Sequence, residues 1–351
     1  MRTQLLKSAC FSTFTVLCVG SLLRLIWYAY NSRNVGPYTS SSGKKHVPQL
    51  SCKDCREVIK QVVTIYSQTW KKQEDNYENL KFELNRKCRG FDRAIVTQDN
   101  TPMGSKLLYD GDRRKSLVVT SEIFKTFPKE DPFPNKMLDT CAVVGNGGIL
   151  SNSSCGTTID AAEFVFRCNL PPLENGYERD VGTKTNLVTA NPSIVVEKHG
   201  SLMGRRRPFV ESLRKYGNSL LLLPAFSFGS NTPVSMRVVY SIEDFESSVK
   251  AVSLNPHYLQ SLAAFWRSQG LKEVRLSTGL MMVSLALEHC TNVELYGFWP
   301  FSYHPEDLRH LTNHYYDDRR ATNQIHALPT EFNHLLGLHS QGVLRLHLGQ
   351  C

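Results

Sequence analysis

The chain has 351 residues, 41% of them hydrophobic, enough for one large domain with a sizeable core plus accessory segments. Its 41 Lys and Arg exceed its 32 Asp and Glu, for a formal charge of +9. Such a balance suits nucleic acid or small anionic substrates. No basic-aromatic interleaving or nucleic-acid motif accompanies it, so nucleic acid is set aside and anionic substrates remain.

The first predicted element is apolar. Residues 8–23 carry no charge, and beyond Arg24 the run continues through Leu25, Ile26, Trp27, Tyr28, Ala29 and Tyr30. A helix over residues 8–30 would be roughly 34 Å long at 1.5 Å per residue, enough to span a bilayer. Arg24 can snorkel to the interface beside Trp27, Tyr28 and Tyr30. A cleaved signal peptide would want an A-x-A-like site, and none is evident, so the reading is a membrane anchor with residues 1–7 as a cytosolic tail. Eight of the ten cysteines follow the anchor, which suggests that the rest of the chain lies in an oxidising lumen.

Residues 31–100 are read as a stem. Its first part, 31–50, bears Ser, Gly and Lys without periodicity and reads as flexible. Cys52-Lys53-Asp54-Cys55 follows, and the spacing of Val58, Ile59, Val62, Val63 and Tyr66 predicts a helical segment through about residue 84. A C-x-x-C pair suits redox chemistry or half a zinc site. No βαβ pattern adjoins it and no second ligand pair follows, so a structural or intersubunit disulfide involving Cys88 is expected, the latter giving a homodimer.

Asp110-Gly111-Asp112 has a D-x-D spacing that can hold a divalent metal on a nucleotide diphosphate, but it sits where a turn would join two strand-like runs. Residues 141–191 then carry the clearest pattern in the chain. An apolar run (Ala142, Val143, Val144) breaks on Gly145-Asn146-Gly147-Gly148 and resumes at Phe164-Val165-Phe166, ending at Arg167-Cys168-Asn169. This predicts a strand, a glycine turn, a helical crossover and a parallel strand. Glycines after a strand let backbone N–H groups approach a phosphate, so a nucleotide is the first ligand to consider. A dinucleotide fingerprint fits poorly, because Leu150 stands at the third glycine and no acidic residue closes the second strand.

Further on, residues 219–226 (SLLLLPAF) read as a buried strand, and 255–269 carry helix spacing. Arg205-Arg206-Arg207, ahead of the first of these stretches, reads as a solvated loop or as a contact for an anionic acceptor. Ser277-Thr278-Gly279 precedes an apolar helix over 280–289, where hydroxyls and amides can cap the helix or bind a phosphate. The strand-like ELYGF at 294–298 then delivers Trp299 to the crevice at its carboxyl end. His304, His310, His334, His339 and His347 have no motif around them and read as surface or core residues.

The stretch CAVVGNGGIL…FVFRCNLPP…DVGTKTNLVT resembles the large sialyl motif of the eukaryotic sialyltransferases. Residues 276–301 resemble their small motif, His314-Tyr315-Tyr316-Asp317 the third, and His326 with Glu331 the very small one. Asn146-Gly147-Gly148, Asn191-Pro192-Ser193 and Gly297-Phe298-Trp299-Pro300-Phe301 look most like the α2,8-sialyltransferases, in the branch that makes short chains. The resemblance implies a mostly parallel, Rossmann-like α/β sheet with helices on both faces, a catalytic domain over 101–351, and a type II Golgi membrane protein.

It also implies a reaction. CMP-sialic acid would be the donor, with no metal clamp because it has a single phosphate, and a sialylated glycoprotein or glycolipid the acceptor. His326 would be the general base, and His314 with the amides at Ser277, Thr278 and Gly279 would stabilise the departing phosphate. Asn146 and Asn169 would position CMP, Trp299 would line the pocket, Glu331 would orient or start a helix, and Tyr316 and Asp317 would hold the third motif's fold. Cys141 would bond Cys290, and Cys155 would bond Cys351, leaving Cys168 a buried thiol. Asn152-Ser153-Ser154 is an N-glycosylation sequon. Galactose-directed transfer, or glycan binding without turnover, are the competing functions.

Overall fold

Apolar runs interrupted by glycine or polar residues become strands, and helices fill the intervals. The computed structural model describes residues 52–88, 90, 93–271, 275–317 and 328–351. Nearly all of them belong to one compact unit, Arg56–Cys351; the unit Met1–Cys55, with the expected anchor, lies almost wholly outside the described residues. Among the described residues no helix is long and apolar enough to cross a membrane.

Two helices open the described chain, α1 (Cys52–Tyr66) and α2 (Glu74–Cys88). An antiparallel hairpin of β1 (Lys106–Leu108) and β2 (Ser116–Val118), then the short α3 (Ser121–Lys125), lead to β3 (Leu138–Val144). There follow α4 (Gly156–Ala161), β4 (Phe164–Arg167), α5 (Glu178–Val181), β5 (Leu187–Thr189), α6 (Pro192–His199) and α7 (Arg206–Leu213). The chain continues through β6 (Leu220–Leu223), α8 (Asn231–Asp244), β7 (Lys250–Ser253), α9 (Pro256–Ser268), α10 (Thr278–His289), β8 (Cys290–Tyr296), α11 (Leu328–Ser340) and β9 (Arg345–His347).

The sheet runs β7-β6-β5-β4-β3-β8-β9, and every neighbouring pair is parallel. Both faces are covered, as parallel sheets require. Along β3, Cys141 and Val143 join one apolar cluster while Ala142 and Val144 join the other, the two-residue period of a strand. The first cluster is roofed by α1, α2, α9, α10 and α11, the second by α4 to α8. From β3 the chain builds outward to β7, then returns to place β8 on the other side of β3. That reversal opens a crevice at the strands' carboxyl ends.

The expected single helix before residue 84 is two helices. Between them the Trp70 indole donates to the Leu344 carbonyl (3.1 Å) and Gln73 N–H to the Gly342 carbonyl (3.0 Å), so tertiary bonds replace helical ones. Ile59, Val62, Tyr77 and Leu84 are buried in the main core, so these helices pack into the domain they precede. Among the described residues Cys88 makes no disulfide: it is a buried thiol whose pKa burial raises well above the ordinary value, while the side chains of Cys52 and Cys55 lie outside what is described. Cys141 is bonded to Cys290 across β3 and β8, and Cys155 to Cys351. Cys168 is likewise a buried thiol, pushed up to about 12 by burial.

Asp110-Gly111-Asp112 lies between β1 and β2, and Asp112 pairs with Arg114 (3.3 Å) and Lys115 (3.7 Å). Among the described residues no cluster of three His, Cys, Asp or Glu could hold a metal.

Candidate active site

The glycine turn after β3 is shaped by its neighbours. Gly145 N–H donates to the Tyr296 carbonyl (2.8 Å) and Gly147 N–H to the Gly297 carbonyl (3.1 Å), extending the β3–β8 pairing past both strand ends. A Cβ at Gly147 would stand 2.6 Å from the Gly297 carbonyl oxygen, so only glycine allows this approach.

The turn holds Asn146 at the crevice. Its Nδ2 donates to the Cys168 carbonyl (2.7 Å), tying the ends of β3 and β4 together. Its Oδ1 is buried and has no partner among the described residues. An orphaned buried acceptor costs about 1–3 kcal/mol, a cost that a ligand donor would remove.

At the end of β4, Asn169 and Leu170 have φ of 63° and 45°, a strained pair of non-glycine residues of the kind that clusters at functional sites. Thr189 holds the first of them, its Oγ1 accepting from Asn169 N–H (2.9 Å) and donating to Asn169 Oδ1 (3.2 Å). Beneath lies the fully buried Arg167. Its guanidinium donates to the carbonyls of Lys184 (3.0 Å) and Val181 (2.8 Å), and burial pulls its pKa down to about 10.

The N-terminus of α10 closes another side. Ser277 Oγ accepts from Leu280 N–H (3.1 Å), the expected cap. The Ser277 amide is committed elsewhere, donating to Glu331 Oε1 (2.8 Å). Of the three amides expected at the phosphate, those of Thr278 and Gly279 remain. Glu331, only 3% exposed in the first turn of α11, thus fastens that helix to the start of α10. Trp299 reaches the cavity with its ring packed edge-on against Phe301 (4.8 Å) and Phe332 (5.6 Å). Its indole N–H is spent on the Tyr303 carbonyl (2.8 Å), so it offers the cavity an apolar surface.

The segment after β8 completes the wall. His314 forms an isolated bridge with Gly147, and Tyr315 N–H donates to the Asn146 carbonyl (3.0 Å). His314 Nδ1 lies 2.6 Å from Asp317 Oδ2, and Asp317 Oδ1 accepts the His314 backbone N–H (3.2 Å). The imidazole stacks on Tyr316, centroids 5.1 Å apart and planes within 7°.

One cavity is therefore lined by Asn146, Asn169, Ser277, Thr278, Gly279, Trp299, His314 and Glu331, the site residues expected from the sequence, with one exception. His326 lies outside the described residues. Sequence reasoning missed the contribution of Asn313, Phe298 and Thr312 to the wall, and missed Asp317 as the partner of the His314 ring. Two of the histidines without a motif have structural partners: His339 stacks on Tyr66 and is held down to about 4 by burial, and His347 pairs with Glu294 (3.1 Å). Asn152 is exposed, away from this cavity, its N–H held by Asp180 (2.7 Å).

Residues 95–343 match Glycosyltransferase family 29 (sialyltransferase). The chain belongs to this sialyltransferase family.

Among its relatives, the human protein named Alpha-2,8-sialyltransferase 8F is 44% identical over 292 residues, 83% of this chain and 73% of that one. Human Alpha-2,8-sialyltransferase 8E is 40% identical over 355 residues, covering 96% and 94%. The Xenopus tropicalis Alpha-N-acetylneuraminide alpha-2,8-sialyltransferase is 42% identical over 298 residues, covering 84% and 85%. A crystal structure of a mammalian sialyltransferase matches this sialyltransferase at 20% identity and a TM-score of 0.42, covering 83% of this chain and 86% of that one.

Proposed function

We propose that the protein transfers sialic acid from CMP-sialic acid to the 8-hydroxyl of a sialic acid at the end of a glycoprotein or glycolipid glycan. It does so as a Golgi type II membrane protein whose lumenal domain holds the cavity described above. The observation that carries this reading is the convergence of four segments, distant in sequence, on one cavity in a chain akin to α2,8-sialyltransferases.

In the proposed step the acceptor hydroxyl oxygen attacks the anomeric carbon of the donor in line, with inversion, and needs no metal. His326 takes the hydroxyl proton. The bond from the anomeric carbon to the phosphate oxygen breaks, its electron pair leaving on CMP. His314, held by Asp317, and the Thr278 and Gly279 amides at the positive end of α10 stabilise that charge. The Asn146 Oδ1 accepts a donor group of CMP. The two disulfides suit an oxidising lumen.

The test is transfer by the full chain in detergent, in EDTA, for wild type and His326→Ala, with labelled CMP-sialic acid. Acceptors are a sialylated glycoprotein, a sialylated glycolipid and their desialylated forms. Transfer to sialylated acceptors alone, lowered about 10²- to 10⁴-fold in the variant, is expected. Transfer to the desialylated forms instead would place the enzyme in a galactose-directed branch, and CMP binding without any transfer would make it a glycan-binding protein.

A further inference from the structure

In the proposed step CMP leaves with negative charge on its phosphate, yet among the described residues no Lys or Arg lines the cavity. The phosphate is left to His314 and to neutral N–H and O–H groups. Several of those on side chains are already committed. Asn146 Nδ2 donates to the Cys168 carbonyl, the Trp299 indole to the Tyr303 carbonyl, and Thr312 Oγ1 to the His314 carbonyl (2.6 Å).

Asn313 differs from these. It lines the cavity, half-buried, with Nδ2 3.2 Å from Nδ1 and 3.3 Å from Nε2 of His314. Beyond these two ring contacts its side chain makes no hydrogen bond among the described residues. A nitrogen almost equidistant from both ring nitrogens cannot lie in the ring plane, where it would strike the carbon between them. The amide therefore rests over the ring face, off the lone-pair directions, which lie in that plane. Asp317 takes Nδ1, so Nε2 is the ring nitrogen that can turn to a substrate, and the Asn313 amide stands beside it.

The backbone under this side chain is clasped against the glycine turn. Thr312 Oγ1 closes onto the His314 carbonyl, Gly147 bridges to His314, and a Cβ at Gly148 would strike the Thr312 carbonyl oxygen. The amide is thus presented from a fixed support, as stabilisation of a developing charge requires.

We propose that Asn313 is a second contact for the leaving phosphate, its amide N–H donating to one phosphate oxygen while His314 engages another. This rests on the CMP-sialic acid reading above. The hydrogen bond strengthens as the bond from the anomeric carbon to the phosphate oxygen breaks and its electron pair moves onto CMP. The two groups complement one another. With the Nδ1 hydrogen held by Asp317, Nε2 donates only when the ring carries a second proton, whereas the carboxamide donates in either state of the ring.

The experiment is calorimetric titration of the full chain in detergent with CMP and with cytidine, the same nucleoside without its phosphate. Proteins are wild type, Asn313→Ala and Asn313→Asp, the last keeping the shape of asparagine with the N–H group replaced by oxygen. Wild type should bind CMP more tightly than cytidine. Both variants should lose about tenfold to a hundredfold in affinity for CMP, as loss of a charge-assisted hydrogen bond gives, while cytidine affinity stays within about twofold. Their kcat with CMP-sialic acid and a sialylated acceptor should fall at least about tenfold. An unchanged CMP affinity or kcat in either variant, an equal loss for CMP and cytidine, or a wild type that binds the two alike would each overturn the role of Asn313 while leaving CMP-sialic acid as the donor. A wild type that binds neither CMP nor cytidine would overturn the donor reading itself, and the role of Asn313 with it.

Discussion

In the proposed reaction the His314 imidazole would meet the donor with one nitrogen already committed, since Asp317 lies 2.6 Å from Nδ1 and also accepts the His314 backbone N–H. A carboxylate there favours the tautomer with hydrogen on Nδ1 and fixes the orientation of the ring. Replacing Asp317 by Asn keeps the shape and removes the charge. Asp317→Asn should therefore lower kcat by about 10²-fold, with KM for CMP-sialic acid nearly unchanged, as steady-state kinetics on a sialylated acceptor would reveal. An equal fall in donor affinity would assign Asp317 to binding. At this scale the sequence discloses residue types but not pairings: the contact of Glu331 with the Ser277 amide joins positions 54 apart, and no local pattern marks it. The place of Asn146 on the turn after β3 was legible, whereas its orphaned Oδ1 became visible only when both neighbouring strand ends were in place.

At the scale of elements, β8 and β9 are joined by more than their ladder. Glu294 and Tyr296 on β8 face Arg345 and His347 on β9, and Glu294 Oε2 accepts from both His347 Nε2 (3.1 Å) and the Tyr296 hydroxyl (2.6 Å). The His347 hydrogen bond, then that of Tyr296, holds the Glu294 carboxyl down at about 2. A depressed carboxyl pKa contributes stability above the unfolded value of about 4.3, and that contribution is lost as pH falls towards 2. Urea denaturation of wild type and Glu294→Gln should accordingly give separate stability curves above about pH 4.5 that converge as pH falls towards 2. Parallel curves throughout would show that the pair contributes nothing through its charge. Elements of this sheet were legible wherever periodicity was strong, as in β6 and α10. They were not legible between α1 and α2, where Trp70 and Gln73 bond to the approach to β9 and break a helical pattern that continues in the sequence.

Over the whole molecule, the Cys155–Cys351 bridge closes the chain across 196 positions and fastens its last residue beside α4. Constraining so long a loop in the unfolded chain is worth on the order of 5 kcal/mol in the entropy model, with about 2–5 kcal/mol the usual measured loss when a native bridge is removed. Cys351→Ser should lower the thermal midpoint and the denaturant midpoint with little effect on the KM for donor, because neither cysteine of the bridge lines the cavity. A selective loss of donor affinity instead would mean that the C-terminal bridge shapes the site. The Cys141–Cys290 bridge differs in kind, since it joins two strands already paired at the centre of the sheet.

By itself, the sequence determined the alternation of strands and helices, the glycine turn, the cap of α10 and the motifs that identify the family. Each of these depends on residues near one another in the chain, where spacing reports conformation directly. Only the tertiary structure decided that the turn, the end of β4, the start of α10 and the His314 segment meet at one crevice. It also decided that the Ser277 amide is spent on Glu331 and that Asp317 takes one nitrogen of the His314 ring. Those relations follow from the order of strands in the sheet and from packing between distant side chains, which local spacing does not encode.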